Sequence, residues 1–259
     1  MKLATLARML FQRFVRKDTE AGLVLLRQVG AALLPGYRFS YNQFDWWRNE
    51  AFNRYLVRFG EMDGMNTDRR WMVYELARMA RAVAGDTAEC GVFKGASSFL
   101  ICVAQKGTGK HHHVFDSFAG LSTPGSRDGN HWKSGALACT LEEVQSNLRD
   151  FPHAHYYRGW IPECFPAVAD RKFSFVHIDV DLEQPTYDSV KFFWPRLNPG
   201  GILLCDDYGF TSCPGASLAL DEYFADRPEQ VIALSGGGGF AIKGVPAGPR
   251  FAELAAGLV

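Results

Sequence analysis

Four carboxylates crowd two short stretches, His177-Ile178-Asp179-Val180-Asp181 and Cys205-Asp206-Asp207-Tyr208-Gly209, each at the end of an apolar run. Carboxylates that converge at neighbouring strand ends repel one another unless protons or a cation neutralise them. All-oxygen ligation suits a hard cation, and Mg²⁺ commonly keeps several waters that substrate oxygens can replace. A cation held there would lower the pKa of a bound hydroxyl and hold it in line for attack. The competing reading is a set of turn caps and salt bridges. Against it, Asp206-Asp207 has no evident basic partner in the sequence.

A second chemical feature lies upstream. Thr87-Ala88-Glu89-Cys90-Gly91-Val92-Phe93-Lys94-Gly95-Ala96-Ser97-Ser98 reads as a strand turning into a helix through two glycines. Such turns let a ligand approach the backbone, and the helix that follows presents unpaired N–H groups to it. Asp116 falls at the end of the next strand, where a carboxylate can accept hydrogen bonds from both hydroxyls of a ribose. Nicotinamide dinucleotides and S-adenosylmethionine both carry that ribose. Dinucleotide sites favour G-x-G-x-x-G, to admit a pyrophosphate. The spacing here differs, and Glu89 would repel a diphosphate. An acid beside the turn suits a cationic ligand with an amino group, such as S-adenosylmethionine. Trp160 offers a flat face for an adenine; the alternative is a core tryptophan.

These residues need a scaffold that places them on one rim. Met1 to about Gly36 reads as one or two helices, with Leu23, Leu25, Leu26, Val29, Ala32 and Leu33 on one face and Pro35-Gly36 as a stop. Tyr37 to Asn49 is an aromatic cluster, read as core or interface ahead of a pocket wall. Helices are expected over about 51–60 and from Asn66-Thr67-Asp68, which offers N-cap residues, to about Ala84. Strands then alternate with helices. Strands are expected over 87–90, 112–115, 155–158, 173–178 and 202–205, with a turn at Pro199-Gly200-Gly201, and a closing pair over 231–234 and 240–243. The helices between them fall at about 96–106, 141–148, 166–170, 185–194 and 216–224. This alternation predicts an α/β fold, a mostly parallel seven-stranded sheet covered on both faces and ending in an antiparallel hairpin. Ligands in such sheets sit beyond the carboxyl ends of the strands. Gly120 to Ser134, polar and glycine-rich, is expected to form a mobile lid.

The chain has 259 residues, 28 basic and 28 acidic, so its formal net charge is zero. That balance argues against a dedicated nucleic-acid binder. The six cysteines are scattered without a C-x-x-C pair, which fits reduced thiols in a cytoplasmic protein. No apolar run is long enough to span a bilayer. Residues 1–17 combine basic and apolar side chains as an amphipathic helix rather than a signal peptide. Packing or an oligomer contact is the favoured role for its apolar face, with peripheral membrane contact as the alternative.

Taken together, Glu89-Cys90-Gly91-Val92-Phe93-Lys94-Gly95, Phe115-Asp116-Ser117-Phe118-Ala119-Gly120-Leu121, Gly159-Trp160, His177-Ile178-Asp179-Val180-Asp181-Leu182, Pro199-Gly200-Gly201 and Asp206-Asp207-Tyr208 resemble the macrocin O-methyltransferases, the TylF/MycF group, in order along the chain. The resemblance covers roughly Asn66 to Lys243. It implies a Rossmann-like class I methyltransferase fold; residues 1–64, which the resemblance does not reach, are expected to form a helical and aromatic extension for acceptor recognition or oligomer contact, and 65–259 the methyltransferase domain. It implies S-adenosylmethionine as donor, Mg²⁺ as metal and a sugar hydroxyl as acceptor, in a small molecule or polysaccharide. Donor contacts are then expected from Glu89, Gly91, Phe93, Gly95, Ser97, Ser98, Asp116, Ser117, Phe118, Gly159, Trp160 and Asp179. Asp179, Asp206 and Asp207 are the expected metal ligands, and one of Asp179 and Asp181 is the general base. A homo-oligomer is expected. The chain departs from the family pattern at Val180, where the family usually has glycine, and over Glu183-Gln184-Pro185. Two other functions fit parts of the pattern: a nicotinamide-dependent oxidoreductase, and a non-catalytic S-adenosylmethionine-binding protein.

Overall fold

The computed structural model describes residues 3–33, 45–62 and 66–248. Most of the aromatic stretch over 37–49, and the Pro35-Gly36 stop, lie outside these residues. The chain divides into two compact units, Met1–Tyr55 and Leu56–Val259. In the first, helices α1 (Leu3–Phe14) and α2 (Thr19–Leu33) pack side by side, burying Met9 and Ala21. Helix α3 (Glu50–Phe59) runs across the division between the units.

The second unit carries α4 (Thr67–Met79), β1 (Asp86–Cys90), α5 (Ala96–Ala104), β2 (His112–Asp116), α6 (Leu141–Asn147) and β3 (Ala154–Arg158). It continues with β4 (Phe173–Ile178), α7 (Glu183–Phe193), β5 (Leu197–Cys205), α8 (Pro214–Phe224), β6 (Ile232–Ala233) and β7 (Gly239–Ile242). The seven strands form one sheet in the order β3-β2-β1-β4-β5-β7-β6. The first five run parallel, and β7 is antiparallel to both of its neighbours.

Every residue of β4 is buried, as is β5 from Ile202 to Cys205. Central parallel strands covered by helices on both faces need such continuous burial. One core gathers Phe115, Phe165, Phe173, Phe193, Trp194 and Phe224, and a smaller cluster gathers Val92, Val114, Val144 and Leu148. The ladder continues one residue past the strands. Asp179 N–H donates to Cys90 C=O at 2.8 Å and Asp206 N–H to Ile178 C=O at 2.9 Å. The ends of β1, β4 and β5 are thereby fixed side by side.

The structure departs from the sequence expectation in three places. Pro199-Gly200-Gly201 is not a turn before β5 but lies inside it, as an irregularity between paired residues of β4 and β5. Gly200, at φ +81°, allows it by taking a left-handed conformation that few other residues adopt. Helix α7 starts at Glu183 rather than Pro185, since a proline in the first turn gives up only an N–H that has no helical partner. The Gly120–Ser134 segment is tied down instead of free. Buried Asp128 accepts from Gly125 N–H at 2.7 Å and from Glu183 N–H, at the start of α7, at 2.6 Å. Arg127 pairs with the Glu183 carboxylate.

Candidate active site

A cleft of about 790 Å³ opens beyond the carboxyl ends of β1, β2, β3, β4 and β5. Its walls include Gly91, Phe93, Asp116, Ser117, Gly159, Trp160, Asp179, Asp181, Asp206 and Asp207. The structure therefore brings most of the expected residues to one place. Trp160 is 43% exposed, so it is not a core tryptophan. Ser97 lines a smaller adjoining pocket with Glu61, Arg70, Phe93 and Asp179.

Gly91 is required by the sheet itself. A Cβ there would lie 1.9 Å from the Asp179 carbonyl oxygen, so any side chain would push β1 and β4 apart. Asp116 fixes the turn from the neighbouring strand. One carboxylate oxygen accepts from Val92 N–H at 2.8 Å, and the other from Phe118 N–H at 2.7 Å. The first oxygen also accepts a longer bond from Phe93 N–H at 3.4 Å, so the Phe118-bound oxygen is the one that retains a second lone pair for a ligand hydroxyl. Phe93 and Asp181 hold φ at +45° and +61°. Such backbone costs on the order of 1 kcal/mol per residue and gathers at functional sites.

Four expected donor contacts do not face the cleft. Glu89 is 1% exposed and sits beneath the turn. Its carboxylate accepts from Ser98 Oγ and meets His177 Nδ1 at 2.7 Å. Ser98 is buried in the same line, with Oγ 2.9 Å from His112 Nε2. A cationic ligand in the cleft therefore meets neither side chain. Gly95 caps α5 in a left-handed conformation, and Phe118 packs on the smaller apolar cluster.

The expected metal triplet is also divided. His177, Asp179 and Asp206 bring one donor atom each to within 4.8 Å of one another, and Asp181, Asp207 and Cys213 form a second such group. Asp207 belongs to the second because its carboxylate accepts from Asp181 N–H at 2.8 Å. The first group is rich in cations that the sequence did not reveal. Arg69 of α4 pairs with Asp206. Arg70 lies 3.7 Å from Asp179 and 3.9 Å from Asp206 and donates to Ser97 Oγ at 2.6 Å. His177 Nε2 lies 3.6 Å from Asp206. Asp206 thus has basic partners, from a helix more than a hundred residues upstream.

Charge follows this arrangement. Burial alone would raise the Asp206 carboxyl, but His177, Arg70 and Arg69 hold it below its ordinary value. Burial, and then Asp206, raise Asp179 to about 6. Burial, and then Asp179, raise Asp181 to about 7. Asp207 is pushed well above the carboxylate range by burial and by Asp181, Asp179 and Asp206. His177 reaches about 10, because Asp206 and Glu89 outweigh a burial that would lower it. The donors are mostly carboxylate oxygens, the ligand type that suits a hard divalent cation, and such a cation would take the place of the protons that crowding now favours.

A sheet of this order, with a glycine turn after its first strand and acids at the ends of β2, β4 and β5, has the Rossmann-like class I methyltransferase architecture. The chain belongs to the macrocin-O-methyltransferase (TylF) family, whose model matches residues 72–230. It is 30% identical over 152 residues to the 8-demethyl-8-(2,3-dimethoxy-alpha-L-rhamnosyl)-tetracenomycin-C 4'-O-methyltransferase of Streptomyces olivaceus, covering 53% of this chain and 58% of that enzyme. It is 28% identical over 173 residues to the demethyldecarbamoylnovobiocin O-methyltransferase of Streptomyces niveus, covering 59% and 63%. The chain thus spans less than two thirds of the length of these curated relatives. Among solved structures, the O-methyltransferase NovP is similar at 26% identity and a TM-score of 0.59, over 68% of this chain and 80% of that one. The calicheamicin methyltransferase CalS11 shares the fold at 17% identity and a TM-score of 0.63, over 88% and 94%.

Proposed function

We propose that the protein is an S-adenosylmethionine-dependent O-methyltransferase that methylates a sugar hydroxyl of a glycosylated natural product or surface polysaccharide, with Mg²⁺ as its metal. The observation that carries this reading is one cleft lined both by the glycine turn with Asp116 and by the four-carboxylate cluster. The relatives point the same way, since one is named for methylation of a rhamnosyl-bearing natural product.

The donor supplies a methyl group carried on a positively charged sulfur. Gly91 and Ser97 flank its methionine end, Asp116 accepts from the ribose hydroxyls, and Trp160 stacks on the adenine. Asp179 and Asp206 would hold Mg²⁺, with Asp207 joining them from the adjoining donor group, and its charge would favour the ionised form of an acceptor hydroxyl. One carboxylate of the Asp179/Asp181 pair takes the hydroxyl proton, both being raised by burial and by neighbouring acids. The remaining rate comes from holding acceptor oxygen, methyl carbon and sulfur in line.

Isothermal titration tests the donor site. Wild-type protein binds S-adenosylmethionine, and Asp116→Ala weakens binding by about tenfold or more, the order of one or two charge-assisted hydrogen bonds. Unchanged affinity would remove the ribose role, and no binding in the wild type would remove the whole reading. Methyl transfer to glycosylated acceptors should stop in chelator and return with Mg²⁺. Full turnover in chelator would eliminate the metal.

A further inference from the structure

Helix α1 carries an apolar stripe that its partner helix leaves open. Met9 packs inward, whereas Ala7, Leu10, Phe11, Phe14 and Val15, spaced by three and one in turn, are exposed. Phe11 is 52% exposed, Phe14 71% and Val15 64%. That spacing puts all five on one helical face.

The charges beside the stripe have one sign. Residues 1–17 hold Lys2, Arg8, Arg13, Arg16 and Lys17 and no acid, in a chain whose net charge is zero. The Arg13 guanidinium lies 5.8 Å from the centre of the Phe14 ring, and that of Arg16 lies 5.9 Å from the centre of the Phe11 ring. Cations therefore border the exposed aromatics. A second copy meeting this face about a two-fold axis would set the same cations against each other. Among the described residues no helix is long and apolar enough to cross a membrane. A short helix with an apolar stripe rimmed by arginine and lysine suits the plane of an anionic bilayer surface.

We propose that α1 docks the protein on anionic lipid, with Leu10, Phe11, Phe14 and Val15 inserted among the acyl chains and the flanking cations on headgroup phosphates. This surface is independent of the methyl-transfer reading.

Co-sedimentation of the full chain with vesicles tests it. Vesicles of equal parts phosphatidylcholine and phosphatidylglycerol should bind the protein about tenfold more tightly than pure phosphatidylcholine, and high salt should erase the difference. The double variant Phe11→Ser/Phe14→Ser should bind the mixed vesicles about tenfold more weakly than wild type. Its thermal midpoint should not change, because the substituted side chains are exposed. Arg13→Gln/Arg16→Gln should lose the preference for phosphatidylglycerol while keeping residual binding. The proposal is overturned if wild type ignores the mixed vesicles, or if the phenylalanine variant binds them as wild type does. It is also overturned if light scattering shows a dimer that the phenylalanine variant dissociates while vesicle binding is absent, since a second copy then covers the stripe.

Discussion

Asp206 and Asp207 are neighbours in sequence and opposites in setting. Asp206 faces Arg69, Arg70 and His177, and its carboxyl stays below the ordinary range. Asp207 turns to the Asp181 backbone and to Cys213, among like charges, and its carboxyl is driven far above that range. Side chains of successive residues at a strand end point to opposite sides. One side reaches the layer where α4 supplies arginines; the other group consists of two acids and a thiol. The site is therefore neutralised in advance on one flank and left wanting a cation or a proton on the other.

The largest effect should come from removing each charge in turn. Asp206→Asn strands buried cations and should cost the metal-free protein about 3 kcal/mol, as breaking buried ion pairs does. Asp207→Asn removes the cost of holding a carboxyl protonated in the fold while its side-chain carbonyl still accepts from Asp181 N–H, and should leave stability unchanged or raise it by about 1 kcal/mol. Urea denaturation in chelator reads both. Equal losses would erase the distinction between the flanks. Under the proposed function both variants lose turnover by about a hundredfold, the order found when one stabilising group of a transition state is removed.

The rim was legible at Asp179 and Asp206 because each closes a short, mostly apolar run of strand length that alternates with helical stretches. The sheet followed from the alternation of such runs with helical spacing. Arg69 and Arg70 were not legible as partners of Asp206, since only the docking of α4 brings them across the chain. Glu89 misled for a different reason. Its place beside the glycine turn suggested the ligand, whereas its alternation along β1 points it inward. A signal was available: His177 is the one ionisable residue of β4, and the structure pairs it in register with Glu89. Buried charges in such runs need each other.

Glu89→Gln tests that inward role and the Asp206 flank behind it. The His177 cation loses a charged acceptor, and stability should fall by about 2 kcal/mol, the order of a hydrogen bond to a charged group. Donor affinity should stay within a few-fold of wild type, because the side chain does not reach the cleft. A large loss of donor binding without loss of stability would return Glu89 to the ligand.

Arg69→Gln should make the flanks more alike. The Asp206 carboxylate loses its close ion pair and becomes freer to ligate a cation. Divalent affinity, read by titration with Mg²⁺, should rise by about tenfold, equivalent to about 1.4 kcal/mol. Unchanged affinity would mean that Arg69 yields its place at no cost.

The smallest effect separates two buried histidines on one line of hydrogen bonds. His177 is flanked by acids and held charged, whereas His112 faces Thr87 Oγ1 and Ser98 Oγ, each at 2.9 Å. Burial, then the neighbouring histidines His113, His177 and His155, lower His112 to about 3 from an ordinary 6.5. The folded protein thus keeps the ring neutral where the unfolded chain protonates it. Its contribution is flat above pH 6.5 and is lost as pH falls from 6.5 toward 3. Between pH 7 and 5.5 the loss should be about 1 kcal/mol, since a single group can contribute at most about 1.4 kcal/mol per pH unit. His112→Gln should remove that part of the slope in a denaturation series, whatever its cost at pH 7. If the slope persists, the ring is charged in the fold, and its hydroxyl partners do not set it apart from His177.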